Sequence, residues 1–405
     1  MIQNKRQWLK PLLAITLFVG TAGVVWLASA KVDSSSLQIN VPVPAPAHLT
    51  TVDQPLIDVV FVLDTTSSMG GLIQAAKEKI WAVASTMANA QPAPQIRMGL
   101  VAFRDRGDAY VTQVYDLSPD LDQMYLQLMQ FQAQGGGDGP ESVNQALHEA
   151  VHQISWSNGD DAYKVIFLVG DAPPHMDYAN DVPYHQSVAE ARQRGIVVNT
   201  IQCGADPNTT SEWQSIAQLG YGQFLQVEQS GGAVAVASPY DDKIVALAEK
   251  LEATRLYYGD EDRRAEADRK AAVSKSITAA SPKEASVSRA MFNVSASGRS
   301  NFLGDSELID EVAISQSRSL DSIPEAELPA SLQVLPAPAR QAKVEAIARE
   351  RQQLQAELLD LQAQRDDYLA EAMPEAEESL ERKVYEVVKE QAATKGLSYS
   401  KEDGE

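Results

Sequence analysis

Two stretches of the chain, LIDVVFVLD (56–64) and YKVIFLVGD (163–171), are almost unbroken runs of valine, isoleucine, leucine and phenylalanine. A strand with one wet face alternates apolar and polar positions, so continuous runs of this length predict strands covered on both faces. Around them, helical and strand spacings of the apolar positions alternate. The pattern predicts a helix in GGLIQAAKEKIWAVASTMANA (70–90), a strand over 96–103, a weaker strand over 110–115 and a helix over 120–132. After the glycine-rich loop GGGDGPES (135–142) comes the helix ESVNQALHEAVHQI, with Pro140 suited to its first turn. A helix over 188–194, the strand IVVNTIQCG (196–204), a short helix over 212–219, a strand over 223–227 and a helix over 241–255 complete the series. Strands alternating with helices at this spacing predict a doubly wound α/β domain over 54–255, with a mostly parallel, Rossmann-like sheet and helices on both faces.

The flanks have a different pattern. Lys5, Arg6 and Lys10 precede an uncharged run, PLLAITLFVGTAGVVWLASA (11–30), long enough to cross a hydrocarbon core of about 30 Å. Residues 1–30 are expected to be a signal peptide cleaved after the A-x-A of Ala28 and Ala30, or an N-terminal single-pass membrane anchor with Trp26 at the interface. Either outcome places Lys31 onward outside the cytoplasm, in the periplasm or cell envelope. Residues 31–53 read as a stiff linker rich in serine and proline.

Residues 256–340 are charged and poor in aromatics, which predicts a disordered linker of little tertiary structure; its run GDEDRRAEADRK reads as a solvated helix face. Within 341–395 a heptad seam appears at Val344, Ile347, Leu354, Leu358, Leu361 and Tyr368, with Arg351 and Arg365 in two of its places. Pro374 stops that helix, and a second follows with Leu380, Val384 and Val387. The seam fits a coiled coil that makes homodimers, and equally a helical hairpin folded on itself or on the main domain. Residues 396–405 form a tail.

At 405 residues and 44% hydrophobic composition the chain can bury at least one full core. A formal net charge of -21 argues against nucleic acid, whose phosphates are met by clustered Lys and Arg rather than surplus carboxylate. Cys203 is the single cysteine, so no intramolecular disulfide and no cysteine zinc cluster can form. Its apolar setting, NTIQCG, fits a thiol packed in a strand.

Chemistry gathers at the ends of the two apolar strands. In DTTSS the alternate residues Asp64, Thr66 and Ser68 supply a carboxylate and two hydroxyls directly after a strand, an oxygen set suited to a hard cation such as Mg2+ or Mn2+. Gly70 and Gly71 then open a helix, the GGGD loop follows, and Asp171 ends the second apolar strand. That order lets three loops converge outside the carboxyl ends of a parallel sheet, where such folds bind ligands. A purely structural use of the same residues has Asp64 capping a helix and Asp171 holding the DAPPHMDY turn. Three oxygen-bearing loops at one sheet edge exceed what capping requires. His175 and Asp177, just beyond Asp171, are expected to shape that turn more than to touch a ligand.

These residues resemble the metal-ion-dependent adhesion site of the von Willebrand factor A domain family, over 54–255. The resemblance implies that Thr66 and Ser68 contact the metal while Asp64 and Asp171 act through water. A threonine normally completes the site from the middle loop. In GGGDGPES that place falls to Asp138, as in the hemicentin and alpha-kinase-associated branch. The implied metal site is therefore Asp64, Thr66, Ser68, Asp138 and Asp171. The implied function is an exported, non-enzymatic module that binds a protein partner, with an acidic residue of the partner completing the metal shell. Two other functions compete. One is an envelope structural or assembly protein, in which the metal stabilises the fold and the C-terminal helices make the contacts. The other is a metal-dependent phosphohydrolase of the haloacid dehalogenase type, which requires a second aspartate where Thr66 stands. The lack of a G-x-S-x-G elbow argues further against a serine hydrolase.

Overall fold

The computed structural model describes residues 54–137, 139–229, 237–372 and 380–399. The expected signal or anchor at 1–30, the linker at 31–53, Asp138 and Pro374 lie outside the described residues. The continuous apolar runs become the central strands β1 (Leu56–Asp64) and β4 (Tyr163–Gly170), in which nearly every position is buried. With β2 (Gln95–Phe103), β3 (Thr112–Ser118), β5 (Ile196–Cys203) and β6 (Tyr221–Val227) they form one sheet in the order β3-β2-β1-β4-β5-β6. Only the edge strand β3 runs antiparallel. The sheet thus matches the predicted doubly wound α/β class.

Helices flank both faces. On one lie α1 (Gly70–Ala88) and α2 (Leu121–Gln130), packed on the inward residues of β1, β2 and β4. On the other lie α3 (Val143–His152), α4 (Tyr184–Gln193) and α5 (Pro207–Leu219), around Phe103, Trp213 and Leu168. Local signals set several of their starts. Asp120 accepts from the Gln123 amide to cap α2; Asp206 accepts from the Thr209 amide to cap α5, whose first residue is Pro207. Pro140, in contrast, does not open α3. Glu141 instead bridges to Pro174, and the helix begins at Val143.

The chain leaves β1 toward β2 on one side and later adds β4 on the other, so the connections diverge between β1 and β4. Asp64 ends β1 and Asp171 directly follows β4 at this switch point.

The stretch 256–340 differs from the expected linker. It carries α7 (Glu261–Ala280), α8 (Lys283–Val294), the short α9 (Arg299–Leu303) and α10 (Ala330–Gln333), together with a π-helical turn at Asp310–Ile314. Its buried positions include Ser274, Arg289, Asn293, Asn301 and Glu307, so the inward face is polar enough to have the composition of a linker. The charged run in α7 is nonetheless a largely solvated face, as read from the sequence.

The heptad seam belongs to one long helix, α11 (Ala337–Ala372); its Val344, Leu354, Leu358 and Leu361 are buried against the same chain, whereas Tyr368 is exposed. Leu354, Leu358 and Leu361 pack with Ile244, Leu247 and Leu251 of α6 (Asp241–Ala253) and with Val287 and Met291 of α8. Arg351, 1% exposed, donates to both Glu307 carboxylate oxygens at 2.7 and 2.8 Å and to the Thr254 carbonyl at 2.7 Å. Arg365 pairs with Asp241 at 2.9 Å. The second predicted helix, α12 (Leu380–Ala393), lies on the sheet face beside α1, with Val384, Val387, Val388 and Leu397 in the main core. Residues at the start of the expected tail are tied down as well, since Gln91 and Ser398 exchange backbone hydrogen bonds of 2.7 and 2.9 Å.

Candidate metal centre

The first loop turns sharply on its own side chains. The Asp64 Oδ1 accepts from the Thr66 amide at 2.8 Å and from the Thr66 hydroxyl at 2.7 Å. The Thr66 and Ser68 hydroxyls are 3.2 Å apart, and the Ser68 hydroxyl donates to the Asp171 Oδ1 at 3.0 Å. Four residues from two loops therefore form one chain of oxygens. Thr65 serves the framework: its amide and its hydroxyl both donate to the Phe103 carbonyl at 2.8 Å.

The other loops are fixed to this one by backbone bonds. The Ser67 amide and hydroxyl both reach the Gly135 carbonyl, at 3.2 and 2.7 Å, which seats the glycine-rich loop against DTTSS. Gly135 and Gly136 have φ of 79° and 77°, a conformation that side chains rarely adopt. A Cβ on Gly135 would come within 2.3 Å of the Asp108 carboxylate, so the loop also needs glycine there for close approach. On the far side the Glu141 amide donates to Pro173 and the His175 amide to Glu141, both at 2.9 Å, joining the middle loop to the Asp171 loop. The start of α5 holds the Asp171 carbonyl through Thr209 at 3.1 Å. Gly170 lets β4 pass close to β1, where an added Cβ would stand 3.0 Å from the Asp64 Cβ and from Trp213.

Asp64, Thr66, Ser68 and Asp171 are thus brought together as the sequence predicts, and Asp138 lies outside the described residues. Two neighbours carry no role in the sequence reading. Glu141 is 3% exposed and faces the same place: the Cβ position of Gly136 is 3.2 Å from both its Oε1 and the Thr66 Cβ. In the sequence it is the acidic residue that closes GGGDGPE, directly after Pro140. Gln229, just beyond β6, donates to the Asp171 Oδ2 at 2.5 Å, and nothing in its local sequence marks it. His175 and Asp177 shape the loop. His175 stacks on Tyr178, is bonded to Asp177 at 2.8 Å, and lies 3.5 Å from Asp105.

The electrostatics of this edge favour a cation. Burial pushes the Asp64 carboxyl up to about 7, against the pull of its Thr66 bonds. Burial, then the like charges of Asp64, Asp105, Asp108 and Asp171, pushes Glu141 up to about 9. The Asp64 Oδ2 and the Glu141 Oε2 are both buried without a hydrogen-bond partner. Partnerless buried carboxylate oxygens are costly unless a proton or a cation meets them. Among the described residues no group of three or more His, Cys, Asp and Glu is arranged to hold a metal. The donor set that fits is therefore mixed, with the Thr66 and Ser68 hydroxyls beside the carboxylates, as hard divalent cations accept.

Residues 58–238 match the family model described as von Willebrand factor A domain. No curated relative matches the chain. Among solved structures, proximal thread matrix protein 1 from the mussel byssus, with a zinc-occupied MIDAS motif, is similar at 17% identity and a TM-score of 0.35, over 44% of this chain and 42% of that one. An aerotolerance-related membrane protein from Bacteroides fragilis is similar at 16% identity and a TM-score of 0.30, over 43% of this chain and 92% of that one. A von Willebrand factor type A structure from Catenulispora acidiphila is similar at 17% identity and a TM-score of 0.34, over 44% of this chain and 39% of that one. The chain thus spans less than half the length of the mussel and Catenulispora chains. The family match reaches all six strands and the loops that carry Asp64, Thr66, Ser68 and Asp171, and over residues 58–238 the chain is similar to a von Willebrand factor A domain.

Proposed function

We propose that this chain is a non-enzymatic binding module that engages a protein partner through a divalent cation, Mg2+ or Mn2+, at the carboxyl edge of its sheet. The observation that carries this reading is the convergence of the two strand ends, with Ser68 bonded to Asp171 beside the partnerless, buried Oδ2 of Asp64. Thr66, Ser68, Asp64 and Asp171 hold the ion directly or through water, and Asp138 of the GGGD-x-P-E type loop takes the place usual for a threonine. A bound cation supplies an open coordination position that an oxygen of the partner can fill. The basic flank and uncharged run at 5–30 support an extracytoplasmic setting, by export or by an N-terminal anchor. The assembly alternative relies on the C-terminal helices for contacts, and those helices bury Leu354, Leu358, Leu361, Val384 and Val387 within the chain.

The experiment is capture of envelope proteins on the wild-type chain, with and without chelator, beside the Asp64→Ala, Asp171→Ala double variant. A partner lost on chelation and lost in the variant supports the proposal. A partner retained in both contradicts it.

A further inference from the structure

Glu141 is left unexplained by a site built from the strand ends. It sits in the middle loop, held from both sides by backbone bonds to residues 173–175, so its position follows the Asp171 loop rather than α3. It is 3% exposed, and its Oε2 is buried with no hydrogen-bond partner. Around it stand Asp64, Asp105, Asp108 and Asp171, all acidic. Asp105 and Asp108 are already used. Asp105 accepts from Ser142 at 2.9 Å and from the Tyr178 hydroxyl at 2.8 Å, and Asp108 accepts from the Gly136 amide at 2.9 Å. Asp64 is the second buried carboxylate here with a partnerless oxygen. Arg104, whose carbonyl accepts from the neighbouring Ser142 amide, spends its guanidinium on the backbone carbonyls of Thr65 and Gln132 at 3.1 and 2.7 Å.

A buried carboxylate among other carboxylates has two physical solutions: it keeps a proton, or a cation compensates it. We infer that Glu141 is a further carboxylate of the cation site, reaching the ion through a bound water on the Thr66 side. This rests on the cation reading above and extends it to a residue that the strand-end motif does not contain. A water-bridged role agrees with the surroundings, since among the described residues no three acidic or histidine side chains are arranged to hold a metal by themselves. Outer carboxylates of this kind orient and tighten a metal's inner ligands.

The test is Mn2+ binding to the full chain, followed by spin resonance of the free ion, for wild type, Glu141→Gln, Asp64→Asn and Glu228→Gln. Glu228 is exposed beyond β6 and controls for the general field of the acidic edge. The inference expects Glu141→Gln to bind about tenfold or more weakly, with Glu228→Gln unchanged and the metal-free melting temperature of Glu141→Gln no lower than that of wild type. An unchanged affinity in Glu141→Gln overturns it, because a glutamine mimics a permanently protonated glutamate. Equal weakening in Glu228→Gln also overturns it, as a field effect. If wild type binds and Asp64→Asn does not, the cation reading survives either of those results. If wild type itself binds no Mn2+, both readings fall. Should Glu141→Gln not fold, Glu141→Met, of similar volume, is judged by the same criteria.

Discussion

Asp58 and Asp64 stand on the same strand and are both buried, yet they differ in what meets their oxygens. Asp58 is satisfied by a two-pronged Arg97 contact at 2.8 Å and by Ser157 at 2.6 and 2.9 Å, whereas the Asp64 Oδ2 has no partner. The difference predicts pH behaviour. Asp64 and Glu141 hold their protons more tightly when folded, up to about 7 and about 9, than in an unfolded chain. Their contribution is fully present below the ordinary carboxylate range and is lost as pH rises toward about 9. The melting temperature in chelator is therefore expected to fall between pH 5 and pH 9, and the increment from a fixed Mg2+ concentration to grow over the same window. An increment that shrinks with pH contradicts this. Gly170→Ala tests the close approach of the two strands. Its methyl meets Asp64 and Trp213 at 3.0 Å, so it is expected to cost about 1–3 kcal/mol in denaturant unfolding and to weaken Mn2+ binding. Most of the site was legible because Asp64, Thr66, Ser68 and Asp171 sit at fixed offsets from strands that composition alone identifies. Glu141 was not, because its burial depends on the bridge to Pro174, a contact between distant loops.

Among the elements, α6, which ends the predicted domain, and α12 pack on different surfaces. The apolar face of α6 packs on α8 and α11, while α12 packs beside α1 and beneath β5 and β6. Gln391 of α12 accepts from the Tyr163 hydroxyl at 2.7 Å and exchanges bonds with Asn199 at 2.8 and 3.0 Å, on the central strands themselves. An amphipathic stripe shows that a helix buries one face, without naming the surface it meets. Deleting residues 380–405 removes Val384, Val387 and Val388 from the core, and is expected to uncover the residues they pack against and to abolish cooperative melting followed by circular dichroism. A second junction is polar. Arg289 of α8 donates to both Asp122 oxygens at 2.7 Å, to Glu252 at 2.6 Å and to Ser274 at 2.6 Å, joining α2, α6 and α7. Burial pushes the Asp122 carboxyl up, but Arg289 outweighs it and holds the group below its usual range. Removing one partner of such a buried pair strands the other charge, so Arg289→Ala is expected to cost about 3–5 kcal/mol in denaturant unfolding. A polar network of this kind is why 256–340 has the composition of a linker while folding as helices.

For the molecule as a whole, the sheet and the helices after residue 255 belong to one compact unit. The match to the von Willebrand factor A family ends at residue 238, yet the core it describes is completed by residues 384–397. A fragment of 54–255 is accordingly expected to show no cooperative thermal transition, while the full chain melts in one. No helix among the described residues is long and apolar enough to cross a membrane. The six-stranded sheet was legible from its runs of β-branched residues, whereas closure of its face by a distant helix was set by long-range packing. The loops of this edge are fixed by the scaffold and by one another: Asp64 at the end of β1 holds the Thr66 amide, Thr209 of α5 holds the Asp171 carbonyl, and Ser67 holds Gly135. The account's central claim is that this edge holds a divalent cation. Calorimetric titration of Mn2+ into the full chain, beside its Asp64→Ala, Asp171→Ala variant, tests it most directly. Saturable binding of a single ion that the variant loses is the predicted result. Absence of binding in wild type, or equal binding in the variant, would contradict it.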